Sequence, residues 1–465
     1  MGIVLLGLYA AVVCAVAWRA VRPGFAPADG GGTAGSAGAF FVNNRGSSAL
    51  GVGLSIIVSC VGASATVGMA GLAFKVGTPA FWWLGAGCVG LTLLSLFLAE
   101  KVRASGAYTM PELVERYLGQ PARPLVSAVI LPTWLAILAA QFVALTKILG
   151  SLTGLDPLLC LGLGFFLIVL HTLGGQAAIM RVDRVQAPIM FLALALLLVW
   201  LAWENSALAD NGAAWLTAVP LEAVNEGFPL STLVYFIFIV GGNYLVCPML
   251  FGRFLSARDA TSARRGGFIA VGGLAVCAVL IVGIGLACRG LLPPDTPGDQ
   301  VLPLILSGQA PVWLNLLVSL ALVSVIVSSA DSCLVTAATV LTHDLLRRRD
   351  VALSRRYVAL LGLAGLGLSF WGKGILDYLL MAYDVYVCGV VVPVFIGMIL
   401  GRRFNVRPAF ACAAVLLGGS LGLASALSRV TALGYAGMIA AALCLLAGML
   451  RGREAGLPGV SPSRV

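Results

Sequence analysis

Charged residues are scarce in this chain of 465 residues: aspartate, glutamate, lysine and arginine make up 10% of it, whereas hydrophobic residues make up 60%. Mean hydropathy is +1.02. One soluble core cannot enclose so large an apolar share, so the composition predicts a protein of the lipid bilayer. The apolar runs, such as MFLALALLLVWLAW, are unbroken rather than alternating. This pattern excludes an outer-membrane barrel and indicates spanning helices.

Residues that carry most enzyme chemistry are also few. Only two histidines are present, His171 and His343, and the eleven cysteines form neither a C-x-x-C pair nor a cluster with histidine. These counts argue against metal centres, disulfides and Ser-His catalysis. No phosphate loop of the G-x-x-x-x-G-K-[ST] type appears. We therefore expect neither an enzyme nor a nucleotide-driven pump, and no cofactor.

Apolar runs bounded by charged or Pro/Gly clusters predict about thirteen spanning helices in an all-α, polytopic membrane protein. We place them near residues 3–20, 49–74, 79–99, 124–150, 156–173, 185–203, 229–251, 267–288, 311–342, 356–371, 375–400, 408–427 and 431–450.

The basic residues predict the orientation of these spans. All but five of the 29 lysines and arginines fall on one face of the arrangement. Basic residues near span ends stay cytoplasmic, so we expect an N terminus outside and a C terminus in the cytoplasm, in the inner (plasma) membrane. The net charge of +10 then reflects topology and implies no nucleic-acid partner. Arg19 and Arg22 follow the first span, the reverse of a signal peptide, so we expect that span to be retained.

Two spans are interrupted by small or polar residues. Residues 62–68 (GASATVG) follow an apolar run in the second span, and residues 241–244 (GGNY) do so in the seventh. Transporters break helices in this way around a cavity, although small residues also let helices pack closely. The interrupted spans open two groups of five, the order expected of an inverted repeat.

This order predicts a division of the chain into five parts. They are residues 1–48 with an extra helix and a cytoplasmic loop, 49–204 as the first five-helix repeat, 205–228 as an extracellular loop, 229–401 as the second five-helix repeat, and 402–465 with two helices and a short cytoplasmic tail.

Polar residues inside the spans are candidates for an ion site. Residues 328–332 (SSADS) interrupt the apolar run of the ninth span, and hydroxyls beside freed carbonyls suit a hard cation such as sodium. Serine in a span also bonds back to its own helix. An ionised aspartate costs free energy in lipid, so Asp183 and Asp331 each need a reason to be there. We expect each to be either functional, at a second ion site or a gate, or paired with another side chain. Arg181 and Arg184 flank Asp183, while a water-filled vestibule or an arginine could satisfy Asp331.

Four parts of the chain resemble the sodium:solute symporter family. They are SIIVSCVGASATVGMAGLAFKVG at 55–77 with YTMPELVERYLG at 108–119, HTLGGQAAIMRVDRVQAPIM at 171–190, CPMLFGRFLSARD at 247–259, and SSADSCLVTAATVLTHDLL at 328–346. The resemblance implies the leucine-transporter-like fold, with a five-plus-five inverted repeat in the second to eleventh spans. It also implies uptake of an organic solute coupled to sodium.

The resemblance further implies a sodium site made of backbone carbonyls and two adjacent hydroxyls. Matched by motif, its residues are Ala63, Thr66, Val325, Ser328 and Ser329. Some members hold a second sodium with the acid at Asp183 and a hydroxyl where this chain has Val325, and that departure puts a second ion in doubt. An acid that some members carry in the first broken helix is replaced by Ala65.

Resemblance and depth together predict that Ser64, Gln141, Asn243 and Tyr244 bind the solute, with an interhelical hydrogen bond as the alternative for Gln141. The expected function is sodium-coupled symport of a small organic solute by alternating access, in a monomer or weak homo-oligomer. Two alternatives stay open: proton coupling through Asp183 or Asp331, and a transporter-like solute sensor that acts through a separate partner.

Overall fold

A computed structural model describes residues 37–208, 221–372, 374–400 and 406–454, together with Gly7, Ala11 and Ala15. Apart from those three positions, the predicted span near residues 3–20 lies outside the described residues.

Helices make up nearly all of the described chain, and the extended pairs found there are isolated bridges such as Ser47 with Ala257. The helices of the first half are α1 (Ala37–Val42), α2 (Ala49–Cys60), α3 (Met69–Val76), α4 (Trp82–Phe97), α5 (Ala99–Ala104), α6 (Met110–Leu118), α7 (Ala122–Thr153), α8 (Pro157–Thr172) and α9 (Gly175–Leu208).

The helices of the second half are α10 (Leu230–Leu245), α11 (Pro248–Leu255), α12 (Ala260–Ala287), α13 (Val301–Gly308), α14 (Val312–Thr339), α15 (Val351–Ser369), α16 (Ile375–Tyr386), α17 (Val392–Leu400), α18 (Pro408–Ser428) and α19 (Thr431–Glu454). Three wider π-helical turns complete the spans, Ser64–Gly68 before α3, Val340–Leu345 after α14 and Val387–Val391 between α16 and α17.

The predicted all-α membrane architecture is confirmed. In the described ranges, ten helical segments are long and apolar enough to cross a bilayer, and the bent pair of α2 with Ser64–Val76 makes an eleventh. The apolar helix α8 is shorter. Together these account for the twelve spans predicted after residue 48, while the total of thirteen stays a prediction. Helix α9 begins at Gly175 rather than near residue 185, so Asp183 lies well inside a helix.

The first predicted break is present, whereas the second lies elsewhere than predicted. Helix α2 and the segment Ser64–Val76 are bent by 64°. Residues 241–244 are helical, because α10 continues to Leu245, and the interruption falls at Val246 and Cys247. Proline lacks an N–H and suits a first helical turn, so Pro248 opens α11 without losing a bond. Residues 328–332, whose polar side chains interrupt the apolar run of the ninth span, lie within the continuous helix α14.

Glycines at residues 241 and 242 serve helix packing. A Cβ atom on Gly90 of α4 would lie 1.9 Å from the carbonyl oxygen of Gly241, and one on Gly87 would lie 2.9 Å from the ring of Tyr244. Such small-residue contacts let helices approach closely in a membrane. The crossing places the ring of Tyr244 against α4.

We expect Gly90→Ala to lower the thermal stability of the detergent-purified protein. The added methyl group forces α4 and α10 apart, and overpacking of this kind costs about 1–3 kcal/mol. The matched control is Gly272→Ala in α12, where a Cβ atom meets nothing within 4 Å and alanine favours the helix. Equal melting temperatures for Gly90→Ala and wild type would contradict the close crossing.

Candidate functional site

The bend after α2 leaves backbone groups without helical partners, and side chains meet them. Gln141 of α7 accepts a hydrogen bond from the N–H of Ala63 through Oε1 at 2.9 Å. The hydroxyl of Thr66 adds a bond at 2.8 Å to the carbonyl of Gly62, which also accepts the backbone N–H of Thr66. Because lipid offers no partner for exposed backbone groups, these bonds define the bend. The interhelical alternative for Gln141 is therefore realised, as a bond to the break itself.

The second break is met in the same way. The hydroxyl of Tyr386, in α16, donates to the carbonyl of Val246 at 2.7 Å. Its ring packs edge-on against Trp134 of α7, with centroids 5.0 Å apart. Tyr386 is fully buried. The sequence pattern does not predict this bond, because it places the break at residues 241–244. The carbonyl of Val246 needs a partner only because the break falls at Val246 and Cys247.

Asp183 lies at a buried junction of α2, α9 and α14. Ser328 donates to its Oδ1 at 2.5 Å, and Ser55 donates to its Oδ2. Arg253 of α11 is the ionic partner, with Nη2 at 3.8 Å from Oδ2. Four helices therefore meet at one carboxylate.

Arg253 is almost completely buried, and its guanidinium connects two serines as well as Asp183. Nη2 donates to Ser59 at 2.8 Å and to Ser332 at 2.5 Å. Among the described residues, the flanking Arg181 and Arg184 do not pair with Asp183. Residues one or two positions apart in a helix point in different directions, so neighbours in sequence are poorly placed to pair there.

Ser329 brings α14 against the first break. Its hydroxyl donates to the carbonyl of Ser59, near the end of α2, at 2.7 Å. A Cβ atom on Gly62 would lie 2.3 Å from the hydroxyl oxygen of Ser329. The close approach of the two helices therefore requires glycine at residue 62.

The other predicted sodium ligands lie close to this contact. The carbonyls of Ala63 and Thr66 accept the N–H groups of Gly68 and Met69, within the wide turn that follows the break. Val325 is buried one turn before Ser329 on α14. The structure thus brings the Ser329 hydroxyl to the end of α2 at the break, and the adjacent Ser328 hydroxyl to the side chain of Asp183.

Asp331 is held by α8. Its Oδ1 accepts a hydrogen bond from Thr172 at 2.9 Å, and its Oδ2 contacts Nδ1 of His171. All three side chains are fully buried. The partner of Asp331 is thus a histidine. Its position near the end of the span had suggested an arginine or water as the partner.

A cavity lies between the two breaks, with about 570 Å³ of empty space that includes its open part. We call it the solute cavity. All four predicted solute-binding residues line it, and no charged side chain does so in the described part of the chain. Its wall includes Ser64, Gln141, Asn243, Tyr244, Trp83, Trp134, Tyr383, Ser329 and the thiols of Cys60, Cys247 and Cys333.

Two polar groups on this wall are buried without a hydrogen-bond partner in the described structure, the indole Nε1 of Trp134 and the amide Oδ1 of Asn243. The first is a donor and the second an acceptor. Leaving such groups unmet costs free energy. A solute that offers both an acceptor and a donor would satisfy them. Among the described residues, no group of three or more histidine, cysteine or acidic side chains is placed to hold a metal ion.

Ion pairs close the end of the bundle where α6, α7 and the last turn of the ninth span meet. Arg123 contacts Asp344 with Nη2 and Oδ1 2.8 Å apart. Glu112 lies 3.0 Å from Nε2 of His343. Burial opposes ionisation of Glu112, but the hydrogen bonds from His343 and from the Tyr108 N–H outweigh it and lower the pKa of Glu112 to about 2. This carboxylate is therefore ionised at neutral pH.

The model of the sodium:solute symporter family matches residues 40–418. The chain belongs to the sodium:solute symporter family. It is 24% identical over 330 residues to the sodium/pantothenate symporter of Haemophilus influenzae, a match that covers 66% of this chain and 65% of that protein. It is 28% identical over 276 residues to the human high affinity choline transporter 1, covering 55% and 47%. The chain thus spans less than two thirds of either relative.

Solved structures show the fold. A sodium-coupled sialic acid symporter in its substrate-bound outward-open state superposes with a TM-score of 0.79 at 15% identity, covering 97% of this chain and 98% of that one. MhsT in complex with L-phenylalanine gives a TM-score of 0.60 at 15% identity, covering 87% and 99%. The leucine-transporter-like fold of this membrane protein is therefore confirmed, as is the predicted family.

We expect Arg253→Met to destabilise the protein by about 3–5 kcal/mol, because it leaves Asp183 buried without a cation. Adding Asp183→Asn to that variant removes the unpaired charge and recovers part of the loss. Thermal unfolding in detergent, without solute, measures both effects. The control is Arg264→Met, which breaks an exposed pair with Glu100 worth about 0–1 kcal/mol. A double variant no more stable than Arg253→Met would refute the pairing.

Proposed function

We propose that this protein is a sodium-coupled symporter that carries a small organic solute into the cell by alternating access. Family membership supports coupling to sodium. The observation that carries the proposal is the bond from the Ser329 hydroxyl to the Ser59 carbonyl of the broken helix, with the adjacent Ser328 hydroxyl on Asp183. Oxygen ligands suit hard cations, and breaks of this kind form ion sites in transporters.

The proposed sodium ion lies between the end of α2 and α14. The hydroxyls of Ser328 and Ser329 and carbonyls of Ala63, Thr66 and Val325 are its candidate ligands, and the contact with Ser329 adds the carbonyl of Ser59. Ser329 donates a hydrogen bond to the carbonyl of Ser59, and the lone pairs of its hydroxyl oxygen stay available to a cation. Asp183 holds Ser328 and supplies negative charge beside the ion.

Sodium at this position would tie the broken helix to α14 and favour the outward-open state, which raises solute affinity through thermodynamic coupling. The membrane potential supplies about 2.3 kcal/mol per charge per 100 mV. A tenfold sodium gradient adds about 1.4 kcal/mol. One ion is therefore enough to drive accumulation of the solute.

We propose that Ser64, Gln141, Asn243 and Tyr244 bind the solute. Their cavity has no charged side chain in the described ranges, and it offers one unmet donor and one unmet acceptor. The relatives and structural neighbours are named for pantothenate, choline, sialic acid and L-phenylalanine. These names support a small organic solute as the cargo class.

The proposed setting is the plasma membrane, with the N terminus outside and the C terminus in the cytoplasm, because most basic residues lie at one end of the spans. The proposed unit is a monomer or a weak homo-oligomer.

Proton coupling is the second candidate, and the buried pair of Asp331 and His171 favours it. A histidine in contact with a carboxylate forms a pair that is able to exchange a proton. Neither side chain lines the solute cavity, which is why sodium coupling is the primary proposal. Solute uptake driven by a proton gradient in sodium-free vesicles would reverse this order.

We expect sodium, compared with potassium, to raise the melting temperature of the purified protein. A ligand at one hundred times its dissociation constant stabilises by about 2.7 kcal/mol. Ser328→Ala and Ser329→Ala should abolish most of this effect. Ser319→Ala is the matched control, because Ser319 is buried on the same helix and bonds only to Asn315 in the described structure. Equal melting temperatures of the wild type in sodium and potassium would reject the sodium site.

For any solute found by thermal shift in sodium, we expect Asn243→Ala to lower affinity about tenfold, the worth of one buried hydrogen bond of about 1.4 kcal/mol. Sodium stabilisation should survive this change. Gln141→Ala should weaken both solute and sodium binding, because Gln141 also holds the N–H of Ala63 at the break. Isothermal titration separates the two effects. Unchanged solute affinity in Asn243→Ala would remove that residue from the site.

A further inference from the structure

A second cavity lies beyond the solute cavity, toward the end of the bundle closed by the Glu112 and Asp344 ion pairs. We call it the vestibule; its empty space is about 400 Å³ including the open part. It is lined by the start of α6, the start of α9 and the later turns of α14, among them Met110, Gln176, Thr336 and Thr339. Gln176 is buried, and its Nε2 has no hydrogen-bond partner in the described structure. The vestibule therefore offers an unmet donor beyond the solute cavity.

Met249 lines both cavities, and it is the one described residue that does so. It is the second residue of α11, directly after the break at Val246 and Cys247. Its two neighbours divide between the cavities, since Pro248 lines the vestibule and Leu250 lines the solute cavity. The boundary between the two spaces therefore passes through residue 249.

We propose that the side chain of Met249 is the gate between the solute cavity and the vestibule, and that the solute is released past it. Methionine is unbranched, with three rotatable bonds and no charge, so a change of rotamer moves the thioether without moving a helix. Proline fixes its own φ angle, so Pro248 holds the backbone of this turn while the next side chain rotates. The inference rests on the proposed function for the identity of the cargo, but the gate itself is a property of the two cavities.

Native cysteines of the solute cavity can report whether a reagent passes this gate. Three cysteines line the solute cavity, whereas no described residue of the vestibule is a cysteine. Cys60 is the most accessible of the three, being half-buried, while Cys247 and Cys333 are buried. A reagent that enters through the vestibule must therefore pass Met249 before it reaches Cys60.

The experiment measures thiol modification of Cys60 in membrane vesicles of both orientations, without sodium or solute. The probe is a membrane-impermeant methanethiosulfonate with a trimethylammonium group. The thiolate of Cys60 attacks its sulfur, forms a mixed disulfide and displaces methanesulfinate, and peptide mass spectrometry reads the modified site. The vesicle orientation in which the vestibule faces the reagent is identified by labelling of Thr336→Cys.

We expect Met249→Ala to raise the rate of Cys60 modification from the vestibule side by at least about fivefold, which corresponds to about 1 kcal/mol of gate closure. The rate from the opposite side should not change. Met249→Phe should slow modification from the vestibule side below the wild-type rate. If Met249→Ala is poorly folded, this second variant still tests the gate, because a larger side chain should close it further. Met110→Ala is the matched control, because Met110 lines the vestibule alone.

Equal rates for wild type, Met249→Ala and Met249→Phe would overturn the gate. An acceleration by Met110→Ala as large as that by Met249→Ala would also overturn it, since general loosening of the vestibule would then explain both. The measurement requires neither ion nor solute. Loss of the gate therefore leaves sodium coupling standing, and failure of sodium stabilisation leaves the gate standing.

Discussion

Backbone groups freed by a broken helix must find partners inside the protein, because the lipid around it offers none. The site depends on this constraint. Gln141 meets the N–H of Ala63, Ser329 meets the carbonyl of Ser59, and Tyr386 meets the carbonyl of Val246. The side chains that make the breaks tolerable are therefore those that surround or adjoin the solute cavity. Removing one of them alters both the local fold and the proposed binding chemistry.

Charge is kept one layer behind the solute cavity. Asp183 is paired with Arg253, and Asp331 contacts His171, all of them buried. A buried charge without a partner is strongly destabilising, so each acid is tied to its own basic side chain. The wall of the cavity is left to hydroxyls, amides, thiols and aromatic rings. In the proposed function, the solute is then recognised by hydrogen bonds and shape, and the proposed sodium lies beside the junction around Asp183.

The sequence predicts the spans well because long apolar runs leave few other structures in lipid. The first break is predictable because Gly62 begins a run of small residues. The second break is mislocated because Gly241 and Gly242 look like a break, although Gly241 packs closely against α4 at Ala86 and Gly90. The nearby Pro248 was the usable signal. The pairing of Asp183 with Arg253 was not predictable, since it joins two helices distant in sequence. Local neighbours such as Arg184 are instead turned away by the helical period.

Helix α11 connects the two ends of the proposed mechanism. It is eight residues long and carries Met249 and Arg253 four positions apart, hence on one face of the helix. Arg253 is bound to Ser59 of the broken helix and to Ser332 of α14, the two elements between which the proposed sodium lies. An ion that changes the distance between those two elements also changes the hydrogen bonds to Arg253. The short helix α11 then carries the resulting movement of Arg253 to Met249, one turn away. In the proposed mechanism, ion release and solute release are therefore linked through contiguous contacts, and α11 is the element whose position both would bias.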